Sequence, residues 1–367
     1  MTKLLALAFL SAALIFPSKN AISQTAHPGA PKFEPQPFWP KPLPDKWILG
    51  QVAGVAVGKD DRIWIVHRPS TVEKDELGAA MNPPAAKCCI PAPPVLEFDR
   101  EGNLLRSWGG PGQGYDWPKS EHGIFIDKDG NVWLAGNGKE DNQILKFTPD
   151  GKFLMQIGKA GPSEGSGSHT QLGRPAHMMI DEPAGELYVA DGYGNHRIIV
   201  FDAKSGAFKR MWGAYGGAPS DEKLAAYAPK TPFSKQFANP VHCVRIADDG
   251  LVYVCDRAND RIQVFRKDGK FVKEIHVNPE TLAGGSVWDL VLSTDKEQKY
   301  IFVADGTDGE IVTLLRDTGE QIGAFGTLGR LPGQFKWVHN MAIDSQGNLY
   351  TTEVGSGRRA QMFKRVN

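Results

Sequence analysis

A segment that recurs six times along the chain constrains the fold more than any other feature. Each copy has an apolar run, an Asp/Gly turn, a second apolar run, a polar turn and a third run such as "RIIVF" or "RIQVF". In most copies a fourth run follows, such as "LLRSWG". Four short strands repeated roughly every 40 to 50 residues are typical of β-propeller blades. The sequence therefore predicts an all-β, six-bladed propeller.

The spacing inside the copies supports a common register. Counting fourteen residues on from the start of the first run reaches the end of the second run in five copies, for example from His242 to Asp256. Only the fifth copy, from Asp289 to Asp305, carries two extra residues. Residues at equivalent positions of different copies should therefore occupy equivalent places in the ring.

The last copy stops at Phe363 to Asn367, before any fourth strand. A strand from the N-terminal side must then complete the last blade and close the ring. Residues around Trp47 to Leu49 are expected to supply that strand. The predicted domain organisation is a proline-rich lead-in at 24–45 and a propeller at 46–367, with an inserted loop at 69–94 in blade 1.

The first residues have the composition of a secretory signal peptide. A lysine precedes an apolar run from Leu4 to Phe16, and small residues stand at Ala21 and Ser23. We expect a signal peptide at 1–23 and an exported protein, periplasmic or secreted.

Charge and hydropathy narrow the range of partners. The 42 basic residues equal the 42 acidic residues, so no basic field is available to attract nucleic acid. No segment after the leader approaches the roughly 20 apolar residues of a membrane span. We expect neither nucleic acid nor membrane as a partner, and a monomer that acts on a small molecule or peptide.

Histidine occupies four of the six positions where a first strand begins. First strands line the central channel of a propeller, so these residues should gather at one mouth of it. His122, His242 and His339 fall on blades 2, 4 and 6, which suits a catalytic zinc ion with three nitrogen ligands and one open position. One such histidine alone would more often be a hydrogen-bonded core residue. Three on alternate blades favour the metal.

The fourth histidine, His177 on blade 3, breaks the alternation. We place it outside the metal triad, as a hydrogen-bond support for a ligand, a substrate contact or a competing ligand. Asp256, at the end of a second strand, is another candidate for a supporting hydrogen bond.

Two arginines and a tyrosine lie at one loop level near this channel mouth. Arg68 and Arg257 each follow the strand start by fifteen residues, and Tyr193 follows it by sixteen in "DGY". Such a set suits a carboxylate-bearing substrate and a proton-accepting phenol. Arginine at such turns equally often pairs with an aspartate between blades.

The segments that carry these residues resemble the peptidyl-α-hydroxyglycine α-amidating lyases, a family of propellers of the NHL type. The motifs "HR", "HG", "DGY", "VH…DR" and a final "VH" occur in that order, and the resemblance covers all blades except most of the fifth. It implies zinc on His122, His242 and His339. It also implies Tyr193 as the catalytic phenol and Arg68 and Arg257 as active-site cations.

The activity implied by the resemblance is cleavage of the C–N bond of a peptidyl- or acyl-α-hydroxyglycine, which gives an amide and glyoxylate. Two other functions remain open. One is a different metal-dependent propeller lyase or lactonase that uses the same channel mouth. The other is a binding module of the NHL type without chemistry.

The resemblance also implies a calcium ion in the channel. Its ligands would be the backbone carbonyls of Val55 and Ile124 and the residue after the last ligand histidine. That residue is Asn340 here, where the family has an aspartate. A neutral amide oxygen is a poorer partner for a hard cation than a carboxylate, which weakens the case for calcium.

The four cysteines are Cys88, Cys89, Cys243 and Cys255. Cys243 and Cys255 face each other if a hairpin turns at Asp248 to Gly250, so they form either a cross-strand disulfide or two buried thiols. Cys88 and Cys89 are adjacent, and a bridge between neighbours is strained. For that pair we expect free thiols or one bridge elsewhere.

Overall fold

The structure, a computed structural model, describes His27 and residues 29–366 and is a six-bladed β-propeller. Six four-stranded antiparallel sheets follow one another around a central channel, which confirms the predicted fold. In the described residues no helix is long and apolar enough to cross a membrane. The predicted signal peptide, residues 1–23, lies outside the described part of the chain.

Blades 1 to 3 are formed by consecutive strands, with the first strand of each beside the channel. Their strands are Gln51–Val57, Ile63–Arg68, Val95–Phe98 and Leu104–Trp108 in blade 1; Glu121–Ile126, Val132–Gly136, Gln143–Phe147 and Phe153–Gly158 in blade 2; His177–Asp181, Glu186–Asp191, Arg197–Asp202 and Phe208–Trp212 in blade 3.

Blades 4 and 5 repeat this arrangement, and blade 6 takes its outer strand from the N-terminal side. The strands are Val241–Ile246, Val252–Asp256, Arg261–Phe265 and Phe271–His276 in blade 4; Asp289–Leu292, Tyr300–Asp305, Glu310–Leu315 and Gln321–Phe325 in blade 5; Val338–Ile343, Leu349–Glu353, Arg359–Arg365 and Phe33–Pro35 in blade 6.

Asp/Gly turns join the first two strands of most blades. In blade 4 the amide of Gly250 donates to the carbonyl of Ala247 at 2.8 Å, and Gly250 has φ +84°. Glycine adopts this left-handed conformation without the steric cost that a Cβ would bring. The Asp/Gly turn predicted from the sequence therefore forms the hairpin between the first two strands of blade 4.

The hydrophobic core lies between blades. One apolar cluster joins Ile262 and Val264 of blade 4 to Leu290 and Ile301 of blade 5, all of them buried, and comparable clusters lie at the other blade junctions. Each blade therefore buries both faces against its neighbours, and no blade completes a core alone.

Ring closure differs from the expected form. The strand that completes blade 6 is Phe33–Pro35, paired antiparallel with Arg359–Arg365, and it comes from the proline-rich lead-in. The expected residues around Trp47 form instead a short parallel pair, Trp47–Ile48 with Ile90–Pro91 of the inserted loop. A proline can close this strand because an outer edge position needs no further amide donor.

Phe33 anchors the closing strand. Its ring is 5% exposed and lies 5.2 Å from the ring of Phe302 and 5.3 Å from that of Phe325, measured between centroids. These two residues belong to blade 5, so the closing strand also seals the junction between blades 5 and 6.

Replacing Phe33 with alanine should lower the free energy of unfolding by about 3–5 kcal/mol, because it leaves a cavity at the ring closure. Urea denaturation of the wild type and the variant measures this. Phe38→Ala is the control, since Phe38 is 89% exposed and its removal should change stability little. Equal effects of the two changes would mean that the closing strand does not hold the ring.

The inserted loop, 69–94, is tied to blade 6. It contains short 3-10 turns, and Glu76 on one of them pairs with Arg358. Contrary to expectation, Cys88 and Cys89 are bonded to each other, with a cis peptide bond between them. The loop is therefore cross-linked within itself, and a bridge to another part of the chain is not formed.

An ion pair with a buried carboxylate recurs where the second and third strands of a blade meet. Arg197 pairs with Asp191 at 2.9 Å in blade 3, and Arg261 pairs with Asp256 at 2.7 Å in blade 4. In blade 6 the pair is Arg359 with Glu353 at 2.7 Å. Each pair compensates a carboxylate that burial would otherwise make costly.

Blade 5 lacks the arginine at this position. Asp305 there faces Glu310, and the side-chain amide of Asn278 donates to both carboxylates, at 2.9 and 3.2 Å. Burial without a cationic partner raises the pKa of Asp305 to about 7, and burial likewise raises the pKa of nearby Asp260 to about 7. Both carboxyl groups therefore titrate near neutrality in the folded protein.

A carboxyl group whose pKa is raised by folding contributes stability that is fully present below its unfolded-state pKa of about 4. That stability is lost as the pH rises from there through the folded-state pKa of about 7. The free energy of unfolding should fall by about 1 kcal/mol per carboxyl group between pH 6 and pH 8. Asp305→Asn should reduce this pH dependence, because an amide does not titrate. Urea denaturation at both pH values tests this, and an unchanged slope in the variant would contradict it.

Candidate metal centre

Three histidines occupy the same position of three alternate blades. His122, His242 and His339 are each the second residue of the first strand, in blades 2, 4 and 6. The strand pairing is interrupted at each of them; for example Val241 pairs with Asp256 while Cys243 pairs with Cys255. A β-bulge of this kind re-aims a side chain. The bulges therefore account for three imidazoles that converge.

The three rings form one compact group. Their centroids lie 4.6, 4.8 and 5.2 Å apart, and one nitrogen of each lies within 4.8 Å of the others. All three side chains are buried. Three neutral nitrogen donors at such separations suit one transition-metal ion and leave a position for another ligand.

Each ring is oriented by the neighbouring blade. The Nδ1 atoms of His122 and His339 lie 2.7 Å from the carbonyl oxygens of Ala176 and Ala53, and His242 makes the same contact with Trp288. A carbonyl only accepts, so each Nδ1 carries the proton and each Nε2 keeps its lone pair. The Nε2 atoms are thus the ones available to a metal.

The electrostatics keep the imidazoles neutral. Burial lowers the pKa of His122 and His242 well below the usual value, and the neighbouring imidazoles add to this. Burial lowers the pKa of His339 to about 3, with a further contribution from Arg68. The neutral ring is the form that binds metal.

Tyr193 contacts two of the three histidines. Its phenolic oxygen lies 3.0 Å from the Nε2 atoms of both His122 and His242. The preceding Gly192 makes this possible, because a Cβ there would lie 2.0 Å from the carbonyl oxygen of Val241. The loop of blade 3 can therefore pack directly on the strand that carries His242.

The two predicted arginines differ in what they contact. Arg257 lies 4.2 Å from the ring centroid of Trp288, and its Nη1 is 3.4 Å from the phenolic oxygen of Tyr193. Its buried Nε has no hydrogen-bond partner among the described residues. Arg257 therefore keeps donor capacity for an anion at the site.

Arg68, in contrast, donates hydrogen bonds to protein groups from all three of its side-chain nitrogens. Its Nε donates to the carbonyl of Glu121 at 2.8 Å, its Nη1 to Gln51 at 2.8 Å and its Nη2 to Asn137 at 3.2 Å. These bonds hold the guanidinium between blades 1 and 2. Arg68 supplies positive charge at the site and has fewer donors left for a substrate than Arg257.

The predicted supporting contacts of His177 and Asp256 are not formed. His177 pairs with Ala190 in a regular ladder without a bulge, and neither ring nitrogen makes a hydrogen bond. Asp256 binds Arg261 and Asn259 inside blade 4. Backbone carbonyls orient the three clustered imidazoles instead. Contacts with the backbone cannot be predicted from a pattern of side chains in the sequence.

Cys243, the residue after His242, is bonded to Cys255 across the first two strands of blade 4, with 4.8 Å between the α-carbons. Of the two alternatives left open by the sequence, the structure forms the disulfide. It fixes the ladder directly beside the bulge that carries His242.

The calcium ligands implied by the resemblance do not fit calcium. The side-chain oxygen of Asn340 accepts from the amide of Val55 at 2.7 Å, and its NH₂ group donates to Asp289. Both ends of the amide are therefore committed. Ile124 is buried on blade 2, and Asp289, the carboxylate that contacts Asn340, is paired with Arg245 at 2.8 Å.

Sequence reasoning missed three residues beside the triad. Trp288 stacks on Arg257, Arg174 lies over the ring of Tyr193 at 5.7 Å, and Trp337 lies 5.3 Å from Trp288. The arginine in "GRPAH" and the tryptophan in "KWVH" precede strand-start histidines closely, which was the available signal.

Comparisons with known proteins agree with this architecture. The NHL repeat model matches residues 172–201, in blade 3. A solved streptogramin B lyase shares the fold, with a TM-score of 0.50 at 13% identity over 92% of this chain and 98% of that one. The chain is therefore a six-bladed β-propeller with an NHL repeat match in blade 3 and a cluster of three histidines.

Its sequence relatives are more specific. The probable peptidyl-alpha-hydroxyglycine alpha-amidating lyase of Caenorhabditis elegans is 25% identical over 84% of this chain and 81% of its own length. The peptidyl-glycine alpha-amidating monooxygenase B of Xenopus laevis is 33% identical over 42% of this chain. The chain spans between 15% and 26% of the four amidating monooxygenases that it matches. It is thus related in sequence to the amidating lyases, as the motifs indicated.

Replacing any one of the three histidines with alanine should abolish stoichiometric zinc binding, because the two remaining imidazoles provide too few ligands to hold the ion. Zinc per chain, measured by mass spectrometry after loading and dialysis, should be about one in the wild type. His177→Ala is the matched control, a buried strand-start histidine outside the triad, and should keep the zinc. Zinc retained by His242→Ala would contradict the assignment.

Proposed function

We propose that this protein is a zinc-dependent carbon–nitrogen lyase that splits a peptidyl- or acyl-α-hydroxyglycine into an amide and glyoxylate. The observation that carries the proposal is the position of the Tyr193 oxygen, which lies 3.0 Å from two of the three clustered imidazoles and 3.4 Å from Arg257. Two imidazoles and the guanidinium therefore lie within hydrogen-bonding distance of the phenolic oxygen. This arrangement supports a site with a proton acceptor, metal ligands and an anion-binding group. The relationship to amidating lyases supports the same chemistry.

The metal would be held by the Nε2 atoms of His122, His242 and His339. A zinc ion there lowers the pKa of a hydroxyl group that it binds and leaves the protein to supply the proton acceptor. Because both Nε2 atoms keep a lone pair, the single phenolic proton of Tyr193 is donated to one of them at a time. That hydrogen bond and metal coordination by the same nitrogen exclude each other. Tyr193 is thereby released toward the substrate when the imidazoles serve as ligands.

Arg257 would bind the substrate carboxylate. Its guanidinium packs against the ring of Trp288, and its Nε has no partner among the described residues. A guanidinium group is planar and can bind a carboxylate through two parallel hydrogen bonds. This contact would place the α-hydroxyl beside the phenolic oxygen of Tyr193. Arg68 adds positive charge at the site from its fixed position between blades.

Tyr193 would act as the proton acceptor. The phenol would first lose its own proton to solvent. The α-hydroxyl proton would then pass to the phenolate oxygen as the hydroxyl oxygen forms the C=O bond of glyoxylate and the C–N bond breaks. The departing nitrogen then takes the proton back and becomes the amide NH₂. Atoms and charge balance without an oxidant or a reductant.

Release of glyoxylate from α-hydroxyhippurate by the zinc-loaded protein tests the proposal. Tyr193→Phe should lower kcat about 10²- to 10⁴-fold and leave the zinc content unchanged, because it removes the proton acceptor and no ligand. Loss of zinc from this variant would mean that the phenol holds the metal. Metal-dependent opening of a lactone without glyoxylate release would favour another propeller lyase or lactonase.

We also propose that the protein is exported. The support is the charged and apolar composition of residues 1–23, and compartment fractionation of the full-length protein would test it.

A further inference from the structure

A partly buried arginine lies on a channel-lining strand of blade 4, beyond the three histidines. Arg245 is on the first strand of blade 4, three residues after His242, and its side chain is 15% exposed. Its Nε donates to the carbonyl of Leu290 at 2.8 Å, and its Nη2 donates to Asp289 and to the carbonyl of Met341, both at 2.8 Å. One guanidinium therefore joins blade 4 to blades 5 and 6.

The contacts continue around the channel. The same oxygen of Asp289 that binds Arg245 also accepts from the amide of Met341 at 2.8 Å and from the side chain of Asn340. Asn340 in turn accepts from the amide of Val55 in blade 1 at 2.7 Å. Arg245, Asp289, Asn340 and Val55 thus form a continuous hydrogen-bonded belt across blades 4, 5, 6 and 1.

This belt uses the groups that a channel cation would need. Calcium takes six to eight oxygen ligands, with carboxylates preferred. The side-chain oxygen of Asn340 accepts from Val55, and the carboxylate of Asp289 accepts from Arg245 and from three further donors. The guanidinium also places a positive charge where a second cation would be repelled.

The belt is connected to the ligand histidines. Asp289 follows Trp288, whose carbonyl orients His242, and Asn340 follows His339 directly. Displacing either belt residue would shift the backbone that fixes a ligand ring. Supporting contacts of this kind tune metal affinity about 10- to 100-fold.

We propose that Arg245 takes the role of a structural channel cation, so that the ring needs no calcium, and that it positions His242 and His339 for the metal. The second part rests on the proposed metal centre, while the first part does not. Arg245 is a positioning residue, since it contacts neither a ligand imidazole nor the space that a substrate would occupy.

Calcium dependence of the wild type is the first test. The zinc-loaded full-length protein is dialysed against a calcium-selective chelator, and the calcium content and the Tm are measured before and after calcium is added back. We expect negligible calcium and an unchanged Tm, because a ligand that binds the native state must raise the Tm. One calcium ion per chain, or a Tm that rises with calcium, would overturn the proposal whether or not the protein releases glyoxylate.

The second test removes the cation. Arg245→Met should lower the Tm by roughly 5 to 15 °C, because Asp289 stays buried without its partner. It should also weaken zinc binding about 10-fold in competition with a chromogenic chelator. Asp289→Asn added to Arg245→Met should restore part of the Tm, since the unpaired charge is removed.

Arg316→Met is the matched control. Arg316 pairs with Asp249 at 2.7 Å and is 17% exposed, close to the 15% of Arg245, although Asp249 is 43% exposed where Asp289 is 1% exposed. The Arg316 pair lies away from the triad. Its loss should leave zinc affinity unchanged. If Arg245→Met does not fold, Arg245→Lys keeps the charge and loses the forked contacts, and it should still weaken zinc binding. Zinc affinity equal to wild type in both Arg245 variants would overturn the positioning role.

Discussion

Each of the three clustered histidines is oriented by a carbonyl group of the next blade, and the geometry of the cluster depends on these three contacts. His122 is oriented by blade 3, His242 by blade 5 and His339 by blade 1. The contact between His339 and Ala53 spans the point where the ring closes. The integrity of the whole ring, including the closing strand at Phe33, therefore determines whether the three imidazoles can converge.

Buried charge is distributed by the same repeat. Three blades pair an arginine of the third strand with a carboxylate of the second, and the channel has its own pair in Arg245 and Asp289. Replacing one partner of such a pair costs more than the pair itself contributes, since a lone buried charge remains. Blade 5, where Glu310 stands in place of arginine, shows the alternative, in which the carboxyl groups take up protons near neutral pH.

The repeat and the alternate histidines were predictable because they follow from periodicity along the chain. Two features were not. The closing strand has a single buried aromatic residue, Phe33, and its pairing partner lies more than 300 residues away. The contacts of Arg245 cross to other blades, 44 to 96 residues distant. His177 resembles the triad in sequence, and only the missing bulge separates it from them.

The closing strand has a topological consequence. Because Phe33–Pro35 and Arg359–Arg365 are neighbours in one sheet, the order of the blades is cyclic, and the break in the covalent chain lies inside blade 6. The channel, the belt and the three histidines each depend on contacts between blades and not on where the chain is interrupted. A circularly permuted chain that begins between any two blades would therefore form the same ring.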